Sequence, residues 1–294
     1  MLVRYRGVLF VAIAAVLYST AGLCMKFIPW GGIALNGARS MVALGVYALF
    51  LLATHHKLKW NRWIFVGAMA ICATNLLFAM ANKMTTAANS IVLQYTSPIF
   101  VILISVLFLH KRIQRIDVLA CITVMSGVLC FFLESLGGGH IMGDLIALLS
   151  GFTYAVVFFM QDMPDGDPMS SLFWGTVISI IVGLPFLSGQ PALDAKAIVS
   201  VLFLGAFQMG LAFIFLLIGL RSVEPITASL ISGIEPVLNP TLVAVFYGEY
   251  MGVLSLTGAA IVICGVVGYQ VLLGLRTKRN AMQEMSNQIN QIDK

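Results

Sequence analysis

The sequence predicts an all-α integral membrane protein with ten transmembrane helices, arranged as two inverted five-helix repeats. Three observations predict this fold class: the composition, the spacing of apolar segments, and the match between the two halves of the chain. Of the 294 residues, 60% are hydrophobic and 10% are charged, with a mean hydropathy of +0.98. Soluble domains are about half apolar and about a quarter charged. The composition therefore excludes soluble enzymes, nucleic-acid-binding proteins and disordered proteins.

The individual helices follow from the thickness of a bilayer. A hydrocarbon core of about 30 Å needs about 20 apolar residues per helix. Measured with that length, the chain contains ten predicted spans, at 6–25, 33–53, 63–82, 88–109, 116–134, 143–161, 170–188, 197–219, 226–247 and 252–274. Short connections join the spans and leave almost no chain for a soluble domain. The remaining residues, 277–294, are predicted to form a cytoplasmic C-terminal tail.

The loops indicate the orientation. Thirteen of the 17 Lys and Arg residues lie in loops on one side, and three lie in loops on the other. Because positive loops stay in the cytoplasm, both termini are predicted to be cytoplasmic in a multi-pass protein of the cell membrane. One loop on that side, 162–168, has three Asp residues, but its spacing is not that of an EF-hand and its Pro and Gly residues indicate a turn. No metal or cofactor is expected.

An internal repeat divides the chain. An offset of 138 residues matches Pro98 with Pro236 and keeps its register over most of the length, while an offset of 136 matches the first helices. The predicted repeats are 1–138 and 139–276. Each contains five spans, and an odd number forces the second repeat to enter the membrane from the opposite side. Inverted repeats are typical of transporters, because rocking of the halves exposes a central site to each side in turn.

The chain also resembles a known family. The residues that carry the resemblance are Ala87-Ala88-Asn89-Ser90, Gln94-Tyr95-Thr96-Ser97-Pro98, Leu107-Phe108-Leu109-His110-Lys111, Ile234-Glu235-Pro236 and Gly248-Glu249. With ten spans in two repeats, the chain is similar over its whole length to EamA-type members of the drug/metabolite transporter superfamily. The resemblance implies a carrier of small metabolites; relatives move amino acids, cationic drugs and sugars. The chain departs from the family at His110-Lys111, where a Glu is usual, which concerns the packing of a helix end.

Two charged residues lie well inside predicted spans, where a charge costs about 2.5–3.5 kcal/mol on insertion scales. Glu235 is nine residues into its span, about 13 Å from the cytoplasmic end and near the midplane. It is the candidate for proton coupling and substrate binding, with a static polar pair as the alternative; its counterpart in the first repeat is Ser97. Arg39 is six residues into the second span. Its guanidinium suits a substrate carboxylate, while the alternatives are helix-end carbonyls or a permanent pair with Glu235.

Further candidate residues surround these two. Ser232 and Asn239 share a helix face with Glu235. Pro98 and Pro236 each free the carbonyl four residues earlier, which predicts a kink or hinge near the midplane. Aromatic and amide side chains complete the predicted substrate site, with ordinary helix packing as the alternative for each: Tyr18, Asn75, Phe78, Gln94, Tyr95, Tyr154, Phe158, Trp174 and Gln208.

The sequence therefore predicts a secondary active transporter that works by alternating access, driven by protons or by the substrate gradient. Amino acids or similar zwitterions are the first expected substrates, and efflux of organic cations or drugs is the alternative. The chain has no Walker-type loop for ATP. An intramembrane enzyme is a remote alternative, because all four His residues fall in loops; a channel is equally remote. The expected partners are the substrate, H+ and the lipid bilayer, without nucleic acid, and a monomer is expected to suffice.

Overall fold

The described part of the protein is helical. The structure is a computed structural model that describes residues 2–108, 110, 113–135, 141–247, 252–254, 256–258, 260–262, 264–265, 268–269, 271–272 and 275. In chain order its helices are α1 (Tyr5–Lys26), α2 (Gly32–Ala53), α3 (Arg62–Met84), α4 (Asn89–Leu107), α5 (Arg115–Ser135), α6 (Ile141–Phe158), α7 (Pro168–Phe186), α8 (Ala195–Leu220) and α9 (Pro225–Phe246).

Eight of the helices have the length and hydropathy of membrane spans. They coincide with the first to fourth and the sixth to ninth predicted spans, and α5 lies where the fifth was predicted. The tenth predicted span is described only in part. There, the hydroxyl of Tyr269 donates a hydrogen bond to Asp117 Oδ1 at the start of α5, at 2.8 Å. The tail predicted at 277–294 lies outside the described residues. The protein is a multi-pass membrane protein.

Local chemistry sets where several helices begin. At the start of α3, the side chain of Asn61 accepts two backbone N–H groups of the first turn, at 2.8 and 2.9 Å. Asp194 accepts one such group before α8, at 2.7 Å. These side chains satisfy donors that have no partner within the helix. Helices α7 and α9 begin instead with Pro168 and Pro225, a position at which the missing N–H of proline costs nothing.

The helices of the two repeats pack against each other in equivalent pairs. Helix α1 packs on α8, and α3 packs on α6; exchanging the two repeats converts one pair into the other. Helices α2 and α7, which are equivalent, also pack together. They touch at Gly37 and Gly183, where a Cβ on either residue would collide with the backbone of the other. A pseudo-two-fold axis between the repeats predicts this pattern.

Polar and apolar side chains are distributed as a lipid environment requires. Leu49, Leu52 and Phe108 point outward, with 70%, 72% and 75% of their surface exposed. Asn36 and Arg39, by contrast, are completely buried. Outward-facing apolar side chains satisfy the hydrocarbon core, whereas buried polar groups need partners or a polar cavity inside the bundle. The polar interior is therefore where a functional site belongs.

Candidate functional site

A small cavity lies inside the bundle, between the two repeats. Tyr18, Gln208 and Glu235, each near the middle of its helix, contribute to its wall. The full lining consists of nine side chains: Tyr18, Thr74, Asn75, Phe78, Gln94, Tyr154, Gln208, Phe213 and Glu235. The cavity measures about 20 Å³, which is room for one water molecule. A larger solute needs the lining helices to separate.

Helices α4 and α9 are both interrupted beside this cavity. In α4, helical structure stops at Gln94, and a new segment begins at Ser97. In α9, a 3₁₀ turn covers Ser232–Ile234, and the α-helix resumes at Glu235. Pro98 and Pro236 follow the two interruptions, and neither has an N–H to continue the hydrogen-bond ladder. The structure therefore departs from regular α-helix where the sequence predicted a kink or hinge, at equivalent positions of the two repeats.

The break in α9 places Glu235 in the first turn of a new helical segment. Helical backbone continues through this point, because the N–H of Glu235 donates to the carbonyl of Ser232. The side chain of Glu235 is buried, with only 5% of its surface exposed. Glu235 is the one carboxyl group in the described cavity lining. The site thus combines one buried acid with polar and aromatic side chains from both repeats.

The two breaks contact each other through Tyr95. Its hydroxyl donates to the carbonyl oxygens of Ser229 and Leu230, at 2.5 and 3.1 Å. Both carbonyls belong to the last turn before the break in α9, where regular helical hydrogen bonding ends. Tyr95 was predicted to bind substrate, but it does not line the cavity. It instead joins the broken segment of one repeat to that of the other.

Several buried polar atoms around the cavity have no hydrogen-bond partner. The hydroxyls of Tyr18 and Tyr154 are both unpartnered within the described residues. So are the hydroxyl of Ser97, the repeat counterpart of Glu235, and both side-chain polar atoms of Asn239, about one turn beyond Glu235. Leaving a buried polar group unpaired costs about 1–3 kcal/mol, so native structures rarely tolerate a cluster of them. Such a cluster is typical of a site that hydrogen-bonds a ligand.

Arg39 does not reach the cavity and does not pair with Glu235. Its Nε and Nη2 donate to Asn36 Oδ1, at 3.3 and 3.1 Å. Nη1 donates to Gln208 Oε1 at 3.3 Å, and Nη2 donates to the backbone oxygen of Asn75 at 2.9 Å. All these partners are neutral. Within the described residues Arg39 forms no permanent pair with Glu235, and it does not line the cavity in which a substrate carboxylate would lie.

Four other predicted residues also lie outside the cavity lining. The indole of Trp174 donates to the backbone oxygen of Lys59 at 3.2 Å and packs edge-on against Trp60. This contact places Trp174 near one end of the bundle. Three further residues stand close to the site without lining it: Phe158, 4.9 Å behind the ring of Tyr154; Ser232, which donates to the carbonyl of Ala228; and Asn239, packed on Gly22.

Seven predicted residues do line the cavity, and two lining residues were missed. Tyr18 and Tyr154, matched by the repeat, meet edge to face with ring centres 6.5 Å apart. The seven are Tyr18, Asn75, Phe78, Gln94, Tyr154, Gln208 and Glu235. The missed residues are Thr74 and Phe213. The repeat contained a signal for Phe213, since the offset of 138 pairs it with Asn75.

Loops of the two repeats meet at both ends of the bundle. At one end, between the α2–α3 and α6–α7 loops, Nε2 of His56 lies 2.8 Å from Oδ2 of Asp167. At the other end, the indole of Trp30 donates to the backbone oxygen of Pro191 at 2.8 Å. The cavity therefore lies between two ends that are each bridged by contacts across the repeats.

Comparisons with known proteins show what the whole chain is similar to. The chain matches the model of the EamA-like transporter family twice, over residues 5–133 and 141–269. It is 27% identical over 233 residues to a probable amino-acid metabolite efflux pump of Salmonella typhimurium, covering 70% of this chain and 74% of that protein. It is 22% identical to a transporter of Archaeoglobus fulgidus, covering 87% and 93%. A crystal structure matches with a TM-score of 0.73 at 17% identity, covering 92% of this chain and 98% of that one.

Proposed function

Because the chain belongs to the EamA-like transporter family, and is a membrane transporter rather than an enzyme, we propose that it is a secondary carrier of amino acids or similar zwitterions. The central cavity is its substrate site, and Glu235 is its proton-coupling residue. The observation that carries the proposal is the combination of one buried carboxyl group with unpartnered hydroxyls in a cavity between two repeats.

The chemistry of the cavity supports a small polar substrate with an apolar part. Glu235 suits an ammonium group, and Tyr18 and Tyr154 offer hydroxyls without partners. Phe78 and Phe213 supply apolar surface. Small-molecule sites are mostly apolar with a few placed polar groups. The Salmonella relative is named as a probable amino-acid metabolite efflux pump, and a substrate of that class would suit this cavity.

The breaks in α4 and α9 support alternating access. Pro98 and Pro236 each remove one helical hydrogen bond at these points, which makes the two interruptions suitable hinges between the flanking segments. Tilting the segments in one direction or the other opens the cavity to one end of the bundle at a time. Glu235 lies at such a break and is able to exchange its proton with each side in turn. Proton exchange there couples transport to the proton gradient.

Efflux of organic cations is the second candidate. The observation that favours it is the cavity lining, in which the described residues include the acid Glu235 and no Lys or Arg, since Arg39 lies outside it. A cavity with an acid and aromatic rings is suited to cations. A carrier of cations would take amines that lack a carboxylate at least as readily as amino acids.

Reconstitution into liposomes tests the proposed function. Purified protein is incorporated into proteoliposomes, and uptake of radiolabelled amino acids, amines and sugars is measured with and without an imposed proton gradient. We expect saturable uptake of at least one amino acid, increased by the gradient. Counterflow from preloaded liposomes distinguishes a carrier from a channel. Uptake of amines alone would favour the second candidate, and uptake of neither class would refute both.

The orientation is tested separately. We propose that both termini are cytoplasmic in the cell membrane, which puts Lys57 and Ser188, both exposed loop residues, on opposite sides. In a background without the five native cysteines, Lys57→Cys and Ser188→Cys should react with a membrane-impermeant maleimide from opposite sides of the membrane. We expect Ser188→Cys to react in intact cells and Lys57→Cys only after lysis. Labelling of both from one side would contradict the topology.

A further inference from the structure

Arg39 is a fully buried charge whose partners in the described part of the chain are all neutral. Its guanidinium donates to Asn36, to Gln208 and to the backbone of Asn75. A buried ion pair would cancel the charge, but amide and carbonyl oxygens only solvate it. Inside a protein, charges interact more strongly than in water. The positive charge of Arg39 therefore acts on whatever occupies the adjoining cavity.

Gln208 stands between Arg39 and the cavity. Its Oε1 accepts a hydrogen bond from Arg39 Nη1 at 3.3 Å, and the residue lines the cavity. A guanidinium has donors and no acceptor, so the amide oxygen of Gln208 must face Arg39. The amide nitrogen is then not the atom that contacts Arg39, and we infer that its two N–H groups are available to a ligand in the cavity that Gln208 lines.

Asn75 offers a hydrogen-bond acceptor, whereas Gln208 offers a donor. Its Nδ2 donates to the carbonyl of Ile71 at 3.0 Å, while its own backbone oxygen accepts from Arg39. The side-chain oxygen of Asn75, which also lines the cavity, is then left as an acceptor. Glu235 is the other acceptor. The cavity consequently has a donor group at Gln208 and acceptors at Asn75 and Glu235.

The backbone conformation around Gln208 positions this residue at the cavity. Residues Leu204–Leu211 form a π-helix within α8, whereas the equivalent stretch of α3 is ordinary α-helix. π-Helical turns are rare and occur mostly at functional sites. The hydroxyl of Tyr47 donates to the carbonyl of Met209 at 2.7 Å, and Gly205 packs directly on the backbone oxygen of Arg39. Helix α2 thus supports both Arg39 and the π-helix that carries Gln208.

We propose that Gln208 binds the carboxylate of the substrate, and that Arg39 is the positioning residue which fixes the Gln208 amide and supplies the positive charge behind it. Glu235 then receives the ammonium group at the other part of the cavity. This inference rests on the proposed function and narrows it to ligands that carry both groups. It differs from direct binding by Arg39, because the guanidinium never contacts the ligand.

Matched ligand pairs test the inference on the wild-type protein. Leucine and phenylalanine are compared with their decarboxylated amines, isopentylamine and 2-phenylethylamine, as competitors of uptake in proteoliposomes. Each amine lacks only the carboxylate. Since hydrogen bonds to charged groups are the strong ones, we expect each transported amino acid to bind at least tenfold more tightly than its amine. Equal affinity within a transported pair would overturn the inference and leave transport itself established.

Variants identify the group responsible. Gln208→Leu removes the amide at similar size, and we expect it to abolish the preference for the amino acid over the amine. Arg39→Gln should reduce that preference by weakening the binding of the amino acid, and the binding of the amine should be no weaker than in wild type, because a positive charge near its ammonium group is removed. Gln161→Leu is the matched control, because Gln161 donates to the carbonyl of Leu217 outside the central cavity; its preference should match wild type. An equal loss of affinity for both ligands in Gln208→Leu would mean a merely structural role and would overturn the inference.

Folding and transport are checked independently. Each variant is compared with wild type by size-exclusion chromatography and by thermal unfolding in detergent. If Gln208→Leu does not fold, Gln208→Met replaces it, and the wild-type comparison of ligand pairs still decides the question. If wild-type protein transports neither member of either pair, the proposed function fails for these substrates and the inference fails with it.

Discussion

The two repeats break an equivalent helix at an equivalent point, but they place different side chains there. In α4 the residue after the break is Ser97, and in α9 it is Glu235. Both are followed by proline, so the same backbone chemistry interrupts both helices. Only the second repeat provides the acid. The feature that both repeats share, an interrupted helix with a proline, shapes the cavity. The residue found in the second repeat alone, Glu235, provides its acidic group.

The largest effect is expected from removing the acid of the second repeat. Glu235→Gln keeps the shape of the side chain and removes its negative charge and exchangeable proton, so we expect loss of gradient-driven accumulation in proteoliposomes. Glu224→Gln is the matched control, because Glu224 is exposed just before the same helix. Accumulation that responds to pH as in wild type would contradict the role of Glu235.

A second prediction concerns the hydrogen bonds of Tyr95, which join the interruption in α4 to the interruption in α9. Tyr95 has Gly233 as its counterpart, so only the first repeat supplies a hydroxyl that binds the other break. Tyr95→Phe leaves the carbonyls of Ser229 and Leu230 without that donor and should lower the free energy of unfolding by about 1–3 kcal/mol. Denaturation in mild detergent measures the change. Tyr5→Phe, at an exposed position, should have no comparable effect; equal stability of both variants would contradict the prediction.

A third prediction uses two glycines that the repeat makes equivalent. A Cβ on Gly183 would collide with the backbone of Gly37, whereas a Cβ on Gly45 meets no atom within 4 Å. Gly183→Ala should therefore lower the free energy of unfolding by about 1–3 kcal/mol. Gly45→Ala should raise it by up to about 1 kcal/mol, because alanine favours the helix. The same denaturation experiment measures both, and a destabilised Gly45→Ala would contradict the packing described.

The smallest effect is expected at Trp174. This residue contacts Lys59 and Trp60 away from the cavity, so Trp174→Phe should leave transport within about twofold of wild type. Its counterpart in the first repeat is Asn36, which holds the guanidinium of Arg39. Asn36→Leu should instead impair transport by removing that acceptor. A large loss of uptake in Trp174→Phe would show that the substrate contacts this end of the bundle.

The sequence was sufficient for much of the fold, because apolar length and repeat register are properties of the chain itself. The interruptions of α4 and α9 were also predictable from Pro98 and Pro236, because proline removes a hydrogen bond from the helix that contains it. The partners of Arg39 were not predictable, because they depend on how α2, α3 and α8 are rotated about their axes. The π-helix around Gln208 depends on support from Tyr47 in another helix. Trp174 was predicted to line the substrate site, but it lies near one end of the bundle. Its short distance from the start of the seventh predicted span already indicated a helix end.

The hydrogen bonds of Tyr95 have a mechanical consequence. They join the interruption in α4 to the interruption in α9. Under the alternating access proposed above, a movement at one interruption would be transmitted to the other. Such coupling would oppose opening of the cavity to both ends of the bundle at once, and would limit leakage of gradients across the membrane.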